Sequence, residues 1–146
     1  MCYNWKRHTL SVTTTILFFA SAALALAATP KEAVGFWGKV SGTVKSAQAD
    51  GLSFVFTVSK AEADATNNTA KDPAAMVGKD LTLGTRMTKK DGKNPTPNDA
   101  DVAFIKTLKP GMTADLEIFA VKADPTVLRI KKPGQITGPT SEPAPK

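Results

Sequence analysis

Between Val34 and Ser59 the side chains change character at every second residue, and this period of two constrains the fold more than any other feature of the chain. Val34, Phe36, Gly38, Val40, Gly42 and Val44 alternate with Gly35, Trp37, Lys39, Ser41, Thr43 and Lys45; after a break, Leu52, Phe54, Phe56 and Val58 alternate with Ser53, Val55, Thr57 and Ser59. Successive side chains of a β-strand point to opposite faces, so each run reads as a strand with one face buried and the other wet. Ser46 to Gly51 lies between them, and Asp50-Gly51 supplies the left-handed geometry that tight hairpins need. The glycines at 35, 38 and 42 would weaken an ordinary strand, so they predict a sharp bend or the close approach of another backbone.

The remainder divides at its polar stretches. Lys60 to Pro73 shows no periodicity and predicts a long exposed loop holding one loose helical turn. Lys79 to Met87 predicts a third strand with Leu81 and Leu83 inward, and Thr88 to Pro97 a second polar loop. Val102, Ile105 and Leu108 recur at a helical spacing behind Asn98, Asp99 and Asp101, residues that suit a helix start, and Pro110-Gly111 ends the run. Thr113 to Val121 predicts a fourth strand, Lys122 to Pro125 a turn, and Thr126 to Lys131 a fifth strand. Prolines at 133, 139, 143 and 145 with few apolar neighbours predict a disordered tail over 133–146.

The expected fold class is therefore all-β: a five-stranded small antiparallel barrel with one short helix between strands 3 and 4. That order of elements, with a glycine-bent first strand, resembles the oligonucleotide/oligosaccharide-binding (OB) fold over about residues 34–132. The segment Leu108-Lys109-Pro110-Gly111 is also similar to one in small exported bacterial domains, where such a segment leads from a helix into the fourth strand. The alternative is an open antiparallel sheet or another small barrel with the same strand count.

Residues 1–27 read as a signal peptide. Lys6, Arg7 and His8 form a basic head, Thr9 to Ala28 carry no charge, and Ala25-Leu26-Ala27 offers a small-residue cleavage site. The rival is an uncleaved membrane anchor, since Thr9 to Pro30 approaches the roughly 20 residues that span a bilayer. Cys2 precedes the apolar stretch, so no thiol follows it to accept a lipid. The expected location is periplasmic or extracellular, with 28–132 as one domain.

Cleavage would remove the single cysteine, histidine and tyrosine of the chain. That excludes a disulfide framework, a histidine-activated nucleophile and the usual nitrogen and sulfur metal sites. Without Lys6 and Arg7 the 19 basic side chains fall to 17 against 13 acidic ones, and their interspersion describes a soluble surface more than a polyanion funnel.

Five residues stand out as candidate ligand contacts: Trp37, Lys39, Lys45, Arg86 and Lys89. An aromatic ring flanked by lysines on a strand face can stack a base or a sugar, and Phe119 belongs to the same class. Arg86, Lys89, Lys90 and Lys93 form the densest basic run and could neutralise phosphates or sulfates. The competing account is that the rings are covered and the cations solvated.

Asp115 and Glu117 share a strand face about 7 Å apart, a spacing that suits an inverting glycosidase pair but equally a wet face. Asn98, Asp99 and Asp101 miss the spacing of a calcium loop, and Gly78-Lys79-Asp80 lacks the earlier glycine and the hydroxyl of a phosphate loop. No cofactor and no metal are expected.

The functional expectation is an exported, non-enzymatic binding module for a glycan or an oligomeric anion. A structural or accessory protein of a cell-envelope assembly is the alternative, and a carboxylate hydrolase the third reading. Export disfavours nucleic acid as the partner.

Overall fold

The computed structural model describes residues 28–138 apart from 90, 91 and 93. The expected leader, 1–27, and the tail from 139 onward lie outside the described residues.

Alternation dictates the first hairpin. Strand β1 (Trp37–Ala47) buries Gly38, Val40, Gly42 and Val44 and turns Lys39, Thr43 and Lys45 to water. Strand β2 (Ser53–Ala63) buries Phe54, Phe56 and Val58. Gly51 adopts φ 75° in the connecting turn, as its place in Asp50-Gly51 requires. The two glycines inside β1 serve close approach: a methyl on Gly38 would overlap the Glu62 carbonyl, and one on Gly42 the Thr57 carbonyl and the Phe56 ring. Irregularities at Ser41/Gly42 and Val44/Ser46 bend the pair.

β2 outlasts its hydrophobic pattern. Lys60 to Ala63, expected in a loop, pair with Gly38 to Ser41 because the start of β1 needs backbone partners and has room for them. The helical turn expected within residues 60–73 falls instead just after that stretch, at Pro73–Met76, where Asp72 accepts from the Ala75 amide and Met76 is fully buried. Strand β3 (Asp80–Gly84) is shorter than expected, with Leu81 and Leu83 inward. Within the expected loop, β4 (Met87–Thr88) and β5 (Thr96–Pro97) form a two-rung ribbon.

Helix α1 (Asp99–Thr107) starts as its cap residues predict, with the Asn98 side chain accepting from the Ala100 and Asp101 amides. Ile105 is fully buried and Leu108 nearly so, whereas Val102 is half-buried. Strand β6 (Thr113–Val121) alternates as expected, with Ala114, Leu116, Ile118 and Ala120 inward.

The last strand, β7 (Asp124–Thr137), corrects the expected tail: residues 133–137 are not loose but continue the strand. Pro133 lies opposite Leu116, Ile136 opposite Ala114 and Thr137 opposite Thr113. A register shift between Ala114 and Leu116 accommodates the proline, and Gly134 lets the Asp115 carbonyl pack where a side chain would stand. Composition alone cannot separate such a bulged strand from a linker.

The fold is all-β. Five strands form a closed ring in the order β1-β2-β3-β7-β6, with β6 returning to β1. The expected purely antiparallel arrangement does not hold, because β3 and β7 run parallel through Leu83 with Leu128 and Gly84 with Arg129. An odd-membered ring cannot alternate direction all the way round, so one parallel seam is obligatory. The core inside the ring is built on Phe36, Phe54, Phe56, Leu81, Leu83, Ile118, Leu128 and Ile130, with Met76 and Ile105 added from outside the ring strands. Phe54 and Phe56 meet edge to face at 6.2 Å. Ring, helix and core are all built from residues between 28 and 138. No helix among the described residues is long and apolar enough to cross a membrane.

Candidate functional site

The outward face of β1 is the axis of the site, because β2 and β6 flank it with their own outward residues in register. Lys39 lies opposite Glu62 on β2 and Glu117 on β6, and Glu117 in turn faces Lys132 on β7. One row across four strands thus reads acid, base, acid, base. Ser41 lies between Lys60 and Asp115 in a second row. These two rows, with Pro133 and Gly134, line an open groove of about 570 Å³. Opposite charges facing across strands contribute roughly 0.2–1 kcal/mol per pair, so the first row also supports the sheet.

A third row caps one end. Trp37 lies opposite Phe119, with ring centroids 5.4 Å apart and planes tilted by 47°. The Lys131 ammonium stands 5.4 Å from the Trp37 ring centroid and donates to Glu117 Oε1 at 2.6 Å. Both rings are half-buried against each other. Trp37 donates its backbone N–H to Asn68 Oδ1, while its indole Nε1 is buried without an acceptor among the described residues.

Charge balance sets what the groove can hold. The groove lining holds Lys39, Lys60 and Lys132 with Glu62, Asp115 and Glu117, and Lys60 and Glu62 form an ion pair. Lys60 bonds Glu62 at 2.6 Å, which holds the Glu62 carboxyl below its usual range and raises the lysine. Such a surface presents donors and acceptors side by side beside an aromatic platform. It suits a neutral, hydroxyl-rich ligand better than a polyanion.

Of the five candidate contacts, Lys39 lines this groove and Trp37 stands one row beyond its end, against Gly35, Asn67 and Pro125; the other three lie elsewhere. Lys45 is outward on the same strand, but six residues from Lys39 and therefore about 20 Å along it. It pairs with Asp80, whose carboxyl it holds below the usual range together with a hydrogen bond from Thr57.

Arg86 is committed to structure. Its Nε donates to Asp101 Oδ2 at 2.9 Å, its Nη2 to Oδ1 at 2.6 Å, and its backbone N–H to Oδ2 at 2.8 Å. Asp101 is fully buried, so the fork ties the segment after β3 to α1 and leaves the arginine little to offer a ligand. Lys89 is exposed on the loop after β4. Asn98 and Asp101, considered for calcium, are occupied as helix cap and arginine partner.

Asp115 and Glu117 do line the groove. Glu117 is held by Lys131 and Asp115 is exposed, so neither has the dry enclosure that converts a carboxyl into a general acid. Sequence reasoning missed Lys60, Glu62 and Lys132 as groove residues. The alternation of Lys60 and Glu62 with Ala61 and Ala63 was their only signal.

Comparison with known proteins finds no matching family model, no matching curated protein and no matching solved structure.

Proposed function

We propose that the protein is an exported, non-enzymatic binding module of the OB-barrel type that takes a glycan oligomer along the outward faces of β1 and β6. The observation that carries this reading is the groove itself: one row of alternating charge and a second holding Lys60, Ser41 and Asp115, with the Trp37 and Phe119 platform one row beyond. Sugars bind through paired polar contacts to their hydroxyls and through stacking of their apolar ring faces on aromatic side chains, and both elements are adjacent here. The closed five-stranded ring with a helix between its third and fourth strands supports the OB assignment. Glycan is preferred to an oligomeric anion because the groove carries as many carboxylates as ammonium groups.

Trp37 is the sole tryptophan after the leader, so intrinsic fluorescence reports on the platform directly. Residues 28–146 are titrated with a β-1,4-linked N-acetylglucosamine hexamer, a heparin hexasaccharide and a single-stranded DNA decamer. Saturable change with the neutral hexamer, persisting at moderate salt, is expected. A response to heparin or DNA alone, lost with salt, would replace glycan by anion as the ligand class. No response to any of the three would shift the weight to a protein partner in an envelope assembly.

A further inference from the structure

We propose that the seam between β3 and β7 is a second binding site, for an amphiphilic anion of the fatty-acid class. The seam is where the ring is thinnest. β3 and β7 meet at only two residue pairs, and Gly84, outward at the end of β3, leaves its surface position empty. The result is an open groove of about 550 Å³.

Three of the five large hydrophobic side chains exposed among the described residues converge on this one groove: Leu52 at 43%, Met87 at 42% and Val127 at 37%. They come from the β1–β2 turn, the β4 ribbon and the start of β7. Isolated exposed apolar residues are ordinary, whereas a cluster gathered from three separate segments around a concavity marks a binding surface. Leucine, valine and methionine with no aromatic ring suit a flexible methylene chain, and methionine adapts its shape to it.

Charge selects the head group. Among the described residues Arg129 is the one charged side chain that lines the groove, and no carboxylate lines it. Its Nη1 donates one hydrogen bond to the Thr85 carbonyl at 3.3 Å, which fixes the guanidinium over the seam and leaves further N–H groups for a carboxylate. Ala28 also lines the groove. Processing at the expected site after Ala27 would place its α-ammonium on the same rim. An apolar trough with a cationic rim and no acid complements a long-chain carboxylate and disfavours a cationic amphiphile. This site is separate from the glycan groove and stands or falls without it.

The test is an amide NMR titration of residues 28–146 with laurate and, in parallel, with dodecyltrimethylammonium, each below its micelle-forming concentration. Laurate is expected to give saturable shifts at Leu52, Gly84, Val127 and Arg129, with at least tenfold weaker binding of the cation. Arg129→Gln, which keeps a donor for Thr85, is expected to weaken laurate about tenfold or more, the loss of one charge-assisted pair. Gly84→Leu plugs the trough: a Cβ there would meet only the Leu52 and Leu128 carbonyls, at 3.7 and 3.8 Å, so the backbone tolerates it while the longer side chain fills the space. It is expected to abolish laurate binding. Leu52→Asp, at an exposed turn position, is expected to do the same should the plug perturb the seam. Equal binding of both amphiphiles, no saturable shift, or laurate affinity unchanged in Gly84→Leu and Leu52→Asp would each overturn the proposal.

Discussion

Replacing Arg86 by methionine would break the one fully buried charge of the described fold away from its partner. Asp101 is 0% exposed and takes three hydrogen bonds from Arg86, one through the backbone and two through the guanidinium. Breaking a buried pair from one side costs about 3–5 kcal/mol, because the remaining charge loses its compensation. The Arg86 side chain is 38% exposed, so water reaches part of the pair and the lower end, about 3 kcal/mol, is expected.

Asp101→Asn removes the charge but keeps an acceptor, and should cost about 1–2 kcal/mol. In the double variant neither charge is stranded. Its loss should fall short of the sum of the singles by about 1 kcal/mol or more. Urea unfolding followed by circular dichroism measures this: with a slope of about 1–3 kcal/mol per molar, Arg86→Met should move the midpoint down by about 1–3 M. A loss below about 0.5 kcal/mol, or strict additivity in the double variant, would refute the view of Arg86 as a structural strut. The same variant should bind glycan as the parent does, since the strut lies outside the groove.

Other consequences follow from the same geometry. Lys39→Glu would place three carboxylates in one cross-strand row and should weaken glycan binding at least tenfold, whereas Lys45→Glu should leave it within twofold; equal effects measured by fluorescence titration would remove this face as the site. Asp80 is held below its usual range by Lys45 and Thr57, so its contribution to stability is fully present above the unfolded-state value of about 3.9 and is lost as pH falls through its lower folded value. Asp80→Asn should therefore flatten the fall in melting temperature below about pH 4 while lowering stability at pH 7, and an unaltered acid limb would contradict the pairing. Ending the chain after Lys132 removes the pairing of Pro133, Ile136 and Thr137 with β6 and should destabilise the domain by several degrees relative to a chain ending after Gly138, by thermal unfolding.

The sequence speaks clearly wherever one physical rule governs a segment. Ser53 to Val58 and Thr113 to Val121 alternate because each has one wet and one dry face, and both are strands, whereas Leu52, in phase with the dry face, stays exposed in the turn before β2. Asn98 caps α1 because its side chain competes well for free amides. The pattern fails where backbone pairing holds a strand together without side-chain help. Lys60 to Ala63 and Pro133 to Thr137 look like loop and tail, yet each completes the ladder of a neighbouring strand. The parallel seam is invisible locally, since it arises from closing an odd ring.

That Trp37 and Lys39 share one outward face is legible because alternation along β1 puts them there. The structural tie of Arg86 is hidden in the sequence because the carboxylate it reaches, Asp101, lies fifteen residues later. The apolar trough was legible in no single segment, as Leu52, Met87 and Val127 belong to three different elements.

Whether the β1 and β6 face takes a neutral glycan, as proposed, is decided by an amide NMR titration of residues 28–146 with the β-1,4-linked N-acetylglucosamine hexamer. Saturable shifts confined to Trp37, Lys39, Ser41, Asp115, Glu117 and Phe119 are expected, with the Trp37 indole N–H signal among them. A folded spectrum that the hexamer leaves unmoved, or shifts that cluster away from these two strands, would contradict the proposal.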